Sequence, residues 1–267
     1  MNGLGALTRE AVLDAVRRKL ALAVAVSCVL SVMVLDSCTT MMGAHFEING
    51  EAVDASAFIA GGAGALTLVV LTLWLVTLAG VLAADQLRQT LEDGTATLAM
   101  ARPVSRFVFG LARLAGVLAI AWGAAVALMG AAAFLLGSRN GLALGPAALA
   151  GAACLLGSLA MAAWAMTASL YLPRVATILL VFAAVGAVAL ANAIGAVTGV
   201  GGFFGWVDRY GPPFASTAIV ALTTWLPQTA QDGMRIEAFD VWARLGLWTA
   251  AGLAALFVSL RRIEIGR

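Results

Sequence analysis

The chain has 267 residues, of which 62% are hydrophobic and 11% charged, with a mean hydropathy of +0.99 and a formal net charge of +2. A soluble globular domain carries about 25% charged residues, so this composition predicts an integral membrane protein and leaves little room for a soluble domain. Its three cysteines, Cys28, Cys38 and Cys154, form neither a metal-ligand spacing nor a disulfide framework.

The first segment, "ALTREAVLDAVRRKLAL", places Leu13, Val16 and Leu20 on one helical stripe with Arg9, Arg17 and Arg18 between apolar positions. It predicts a helix over 6–19 that lies on the membrane surface with its cations toward headgroups; the alternative is a plain polar cap on the first span. The run 20–38 follows. No A-x-A cleavage site comes after it, and "LDSC" at Leu35–Cys38 makes a poor lipobox, so it reads as a retained span.

About 20 apolar residues cross a hydrocarbon core. Further spans are expected over 57–84, 112–137, 146–172, 175–197 and 241–260, giving an all-α protein with six membrane spans. In the last of these Arg244 sits near one helix end, from where it can snorkel to the interface. "PPFASTAIVALTTWLP", Pro212 to Pro227, is too short to cross and reads as a re-entrant or interfacial helix within an outer loop, 198–240.

With six spans both termini share one side. That side collects Arg9, Arg17, Arg18, Lys19, Arg88, Arg102, Arg106, Arg113, Arg174, Arg261, Arg262 and Arg267, and the other keeps Arg139, Arg209, Arg235 and Arg244. Cytoplasmic loops carry the excess of Lys and Arg, so the crowded side is expected to be the cytoplasm. A seventh span would put the C-terminal arginines outside.

Gly116, Gly123, Gly130 and Gly137 recur every seven residues along the third span, which predicts a helix-packing seam. Other features are missing. No G-x-x-x-x-G-K-[ST] occurs, so the chain is not expected to bind ATP phosphates itself. No H-E-x-x-H or buried Ser-His arrangement suits a protease, and no metal site is expected. No ionisable residue falls in the middle of an expected span, and Asp36 and Asp85 are placed at span ends within reach of water. Ion-coupled carriers usually retain such charges despite their cost. Asn192 is the sole carboxamide within a span; an interhelical hydrogen bond is its expected role, with a substrate contact as the alternative. These absences describe a transmembrane path whose energy comes from a partner.

Between the second and third spans, over 85–111, lies "LEDGTATLAMARPVSRF". Gly94 breaks the chain, Thr95 can cap a short helix, Pro103 stops it, and Ser105 can cap the third span. By its residues alone it is a docking element or a solvated hairpin whose arginines meet anionic lipid. "E-D-G-T-x-x-L-x-M-A-R-P-V-S-R" resembles the segment between spans two and three of ABC-2-type ABC transporter permeases, and the expected order of surface helix, six spans, short apolar element and basic tail is similar to that family throughout. One departure is at Phe107–Arg113, where the family often has a Lys and this chain has Arg113.

The resemblance implies a permease subunit of the bacterial inner membrane, not an enzyme by itself, with no cofactor of its own. It implies a separate ATPase that carries ATP and Mg and docks at Glu92, Asp93, Gly94, Thr95, Leu98, Arg102, Pro103, Ser105 and Arg106. It also implies pairing with a second permease subunit, as homo- or heterodimer, and export. Thr67, Thr72, Thr77 and Trp74 of the second span, with Asn192, are candidate pathway residues for an amphiphilic cargo. The alternatives are a non-transporting membrane scaffold and, behind it, a secondary carrier.

Overall fold

The computed structural model describes residues 5, 8–10, 12–13, 26, 28–31, 33, 47–48, 51–52, 55–92, 105–140, 143–198, 202–222 and 238–262, with the side chains of 47–64, 87–92, 106, 139–140 and 192–198 excepted. A two-residue antiparallel ladder, β1 (Glu47–Ile48) on β2 (Glu51–Ala52), precedes seven described helices. These are α1 (Ala55–Glu92), α2 (Arg106–Asn140), α3 (Leu144–Ser169), α4 (Arg174–Thr198), α5 (Gly202–Tyr210), α6 (Phe214–Leu222) and α7 (Ala238–Arg262). Five of them, α1 to α4 and α7, are long and apolar enough to cross a membrane, so the chain is a multi-pass membrane protein. Residues 8–10 and 12–13 of the expected surface helix are helical, as are 26, 28–31 and 33 of the expected first span. The rest of both lies outside the described residues.

The spans run further than hydropathy alone draws them. α1 continues through "DQLRQTLE" to Glu92, because Gln, Arg, Leu and Glu are good helix formers once a turn has been nucleated upstream. The connection to α2 shortens accordingly to 93–105. At its far end Ser105 caps α2: the Val108 amide donates to Ser105 Oγ at 3.3 Å and the Phe109 amide to its carbonyl at 3.1 Å.

α3 is the central element. Its buried residues include Ala150, Ala153, Cys154, Gly157, Ser158 and Ala160, and such small side chains let α1, α2 and α7 approach it from several sides. Indole N–H groups tie these contacts. Trp122 Nε1 on α2 donates to Leu155 O (3.2 Å) and Ser158 Oγ (3.1 Å), and Trp164 Nε1 on α3 donates to Trp248 O on α7 (3.1 Å). A Cβ on Gly252 would stand 2.9 Å from the Trp164 ring, so glycine there is what admits the indole.

The expected glycine seam on α2 is corrected. Gly116 is buried, but Gly123 and Gly130 are exposed, and a Cβ on either would meet nothing within 4 Å. Gly123 and Gly130 point away from this chain, alongside Val126 and Phe134, whereas Gly116, one heptad earlier, faces inward.

α5 and α6 form a hairpin between α4 and α7. α5 folds back along α4, with Val207 packed against Val188 and Ala191. The chain turns at Gly211-Pro212-Pro213, where a Cβ on residue 211 would strike the Val207 carbonyl. α6 then begins with Phe214 on Gly157, the midpoint of α3, and beside Val76 of α1; Ala215 and Ala218 pack on Val69, one or two turns nearer the start of α1. The hairpin therefore enters from the end of the bundle opposite Arg174 and Arg262, turns at half depth and returns. A short apolar helix within Pro212–Pro227 is expected from the sequence and found at Phe214–Leu222; residues 223–227 lie outside the described residues.

Candidate functional site

The ends of α1, α2, α4 and α7 that carry Arg88, Arg106, Arg174, Arg261 and Arg262 meet at one end of the bundle, here termed the basic end. The 93–105 connection leaves and re-enters there, and each of its arms is held by a different helix.

On the α1 arm, Asp85 Oδ1 lies 2.8 Å from Arg174 Nε. The carboxylate is 6% exposed, so the expectation that water reaches Asp85 is corrected. The helix does not end there but continues for seven residues, and α4 starts against it. Among the described residues no aligned N–H reaches Oδ1, so the contact is an ion pair rather than a directed hydrogen bond. On the α2 arm, Phe107 meets Phe257 of α7 edge-on at 4.9 Å between ring centroids, and Gly110 faces the Leu260 side chain so closely that any Cβ would clash. Arg113 stands 5.4 Å over the Phe109 ring, and Arg261 4.2 Å over that of Phe257.

Of the residues expected to dock a partner, Asp93, Gly94, Thr95, Leu98, Arg102 and Pro103 lie outside the described residues, and for Glu92 and Arg106 the description ends at the backbone. Ser105 is the helix cap described above. Of the pathway candidates, Thr72 is buried and its hydroxyl donates to Leu68 O at 2.8 Å, while Trp74, two residues on, is 42% exposed on another face. Thr77 bonds Leu73 O in the same back-bonding manner. Asn192 lies on α4 with its side chain outside the description. No shared lumen forms from Thr72 and Trp74.

A second cluster was not anticipated. Arg244 Nη2 donates to Asp208 O (2.6 Å) and Gly211 O (3.2 Å), and Trp248 Nε1, one turn along α7, donates to Tyr210 O (3.0 Å). These are the freed carbonyls at the C-terminal end of α5. Broken helices at membrane depth persist only where their backbone groups find partners in the protein, and Arg244 and Trp248 supply them. Arg244 also lies 3.7 Å from Asp240. The expectation that Arg244 snorkels toward the interface is thus replaced by a structural role. The signal available in the sequence was the i,i+4 pair Arg244/Trp248 on one face, together with the stripe Phe203, Trp206, Tyr210 that marks α5 as a helix.

Compared with known proteins, the chain matches no family model and no curated protein.

Proposed function

We propose that this chain is the membrane-embedded permease subunit of an ABC-2-type transporter of a bacterial cytoplasmic membrane, an exporter that works as a pair of such subunits. In this reading the basic end faces the cytoplasm, and a separate ATPase docks on residues 92–106. The observation that carries the reading is the way both arms of that connection are anchored: α1 to α4 through Asp85–Arg174, and α2 to α7 through Phe107–Phe257 and Gly110–Leu260. A displacement imposed on the connection would reach two separate spanning helices, α4 and α7. The hairpin of α5 and α6 fills the bundle between them.

The mechanism follows from that linkage. The ATPase supplies ATP and Mg and closes on hydrolysis-competent binding. Its movement is delivered at Glu92, Asp93 and Thr95–Arg102, with Glu92 and Asp93 meeting basic partner groups and Arg102 and Arg106 meeting acidic ones or headgroups. α1 and α2 then tilt against α3, carrying α4 and α7 with them.

The test is co-expression with a candidate ABC ATPase subunit, followed by co-purification and ATP hydrolysis in vesicles. Glu92→Ala and Arg102→Glu are expected to lose the ATPase. Gly110→Val is expected to retain it while uncoupling hydrolysis from transport. Retention of full coupling by all three sinks the proposal and leaves the scaffold reading.

A further inference from the structure

α5 descends into the spanning region with one face uncovered. Val207 packs against Val188 and Ala191, which precede the end of α4 at Thr198 by ten and seven residues. At 1.5 Å per residue Val207 lies about 10–15 Å below that end, and Arg209 and Tyr210 follow it toward the turn. The side of α5 turned away from α4 carries Phe203, Trp206, Arg209 and Tyr210, all exposed. The Trp206 and Tyr210 rings stand 5.8 Å apart, tilted by 45°, and the Arg209 guanidinium lies 5.8 Å from the Tyr210 ring centroid. Among the described residues no carboxylate pairs with Arg209, and neither Trp206 Nε1 nor Tyr210 Oη has a hydrogen-bond partner. Asp240 lies against Arg244, and the half-buried Asp208 is about 100° round α5 from Arg209.

Three considerations decide what this face meets. The first is depth. A cation within the spanning region faces water or a polar partner, because nothing in hydrocarbon offsets its desolvation. Arg244, on the neighbouring α7, obeys this by bonding Asp208 O and Gly211 O; Arg209 has no such acceptor and needs water or a ligand. The second is the order of polarity along α5. A phospholipid carries its charge outside its acyl chains, whereas here Phe203 is at the outer end and Arg209 and Tyr210 are at the turn. The anionic group of a lipid would have to enter past its own chains to reach them. The third is symmetry. A second copy laid on this face by a two-fold axis would set Arg209 against Arg209. A soluble ligand remains. Its recognition groups are a guanidinium, an indole N–H and a phenol O–H, all donors, beside the flat apolar surface of Trp206.

We propose that the exposed face of α5 lines a water-filled vestibule open at the end opposite the basic end, where Arg209, Trp206 and Tyr210 bind an organic anion: a carboxylate or sulfonate borne on a flat apolar body. The anionic group sits at Arg209 and Tyr210 Oη, and the apolar body lies on the Trp206 ring. The site does not rest on the transport reading, because it requires only that α5 lie within a bilayer.

The experiment uses the full chain with Cys28, Cys38 and Cys154 as serine, reconstituted in vesicles and reached by reagent from both faces. Trp206→Cys is expected to react with methanethiosulfonates carrying either a sulfonate or a trimethylammonium group, whereas Val126→Cys on α2, at a position 66% exposed, should be shielded by hydrocarbon. The ratio of sulfonate to trimethylammonium labelling should exceed that of a free thiol several-fold. Arg209→Gln should abolish that preference, and Arg209→Lys should retain it. With Trp206 intact, the chain in lipid nanodiscs should bind 2-naphthalenesulfonate saturably in equilibrium dialysis, several-fold more weakly in Arg209→Gln and in Trp206→Ala. 2-Naphthyltrimethylammonium should show no saturable binding. Failure of both reagents to reach Trp206→Cys, the pattern of a face covered by lipid or by a second copy, overturns the proposal. So does a charge preference unchanged in Arg209→Gln, or naphthalenesulfonate binding that is absent or unaltered in both variants. No ATPase enters the experiment, so its failure leaves the transport reading standing.

Discussion

Arg244 Nη2 lies 2.6 Å from the carbonyl oxygen of Asp208, so a cation placed six residues into a spanning helix serves the backbone of a neighbouring broken one. Its cost of burial is offset by what it satisfies: two carbonyls of a turn that water would otherwise have to reach.

Removing that donor is predicted to loosen the hairpin. Hydrogen bonds to charged groups contribute about 1.5–3 kcal/mol each, so Arg244→Met should lower the thermal unfolding midpoint in detergent by several degrees. Trp248→Phe, which loses one neutral bond to Tyr210 O, should cost about 1 kcal/mol and shift the midpoint less. An Arg244→Met midpoint equal to wild type would show that the contacts contribute nothing.

Gly157 and Phe214 form a second, steric lock on the same hairpin. A Cβ at residue 157 stands 3.1 Å from Phe214 Cδ1 and 3.1 Å from Val76 Cγ2. Gly157→Leu is therefore expected to destabilise by about 1–3 kcal/mol through overpacking, and Phe214→Ala in the same chain should recover part of that loss. Thermal unfolding of the single and double variants measures it. Additive losses would mean that Phe214 does not seat on residue 157.

Asp85 and Arg174 should behave as a coupled pair of unequal partners. Arg174 is 55% exposed at its side chain, which limits the coupling to about 1 kcal/mol. Arg174→Gln leaves Asp85 buried without its counter-charge, so it should destabilise more than Arg174→Gln combined with Asp85→Asn. A double-mutant cycle on unfolding reads this directly, and a coupling energy of zero would contradict the geometry.

Orientation can be checked by single cysteines in a background where Cys28, Cys38 and Cys154 are serine. With the basic end in the cytoplasm, a membrane-impermeant maleimide added outside should label Leu144→Cys and Phe239→Cys, which are 86% and 87% exposed. Ser105→Cys should react only after the membrane is opened. The reverse pattern would invert the topology.

Much of this architecture is legible in the chain itself. Runs of about 20 apolar residues can satisfy their backbone in hydrocarbon only as helices, so α1 to α4 and α7 are visible in the sequence within a few residues, except where α1 continues past Asp85. Ser105 announces its cap because a hydroxyl before a helical run has few other uses. The crowding of arginine at alternate loops predicts the basic end. Other features depend on which helices become neighbours, and hydropathy carries no such information. Asp85 looks like a wetted span end until α4 packs across it. Gly123 and Gly130 look like a seam until α2 turns them outward. Arg244 looks like an interfacial anchor until α5 ends beneath it. The first and last of these are pairings between segments tens of residues apart, and the glycines face outward because no segment of this chain packs there. Transfer energies are summed residue by residue, whereas a pairing exists only once the tertiary packing has brought both members together.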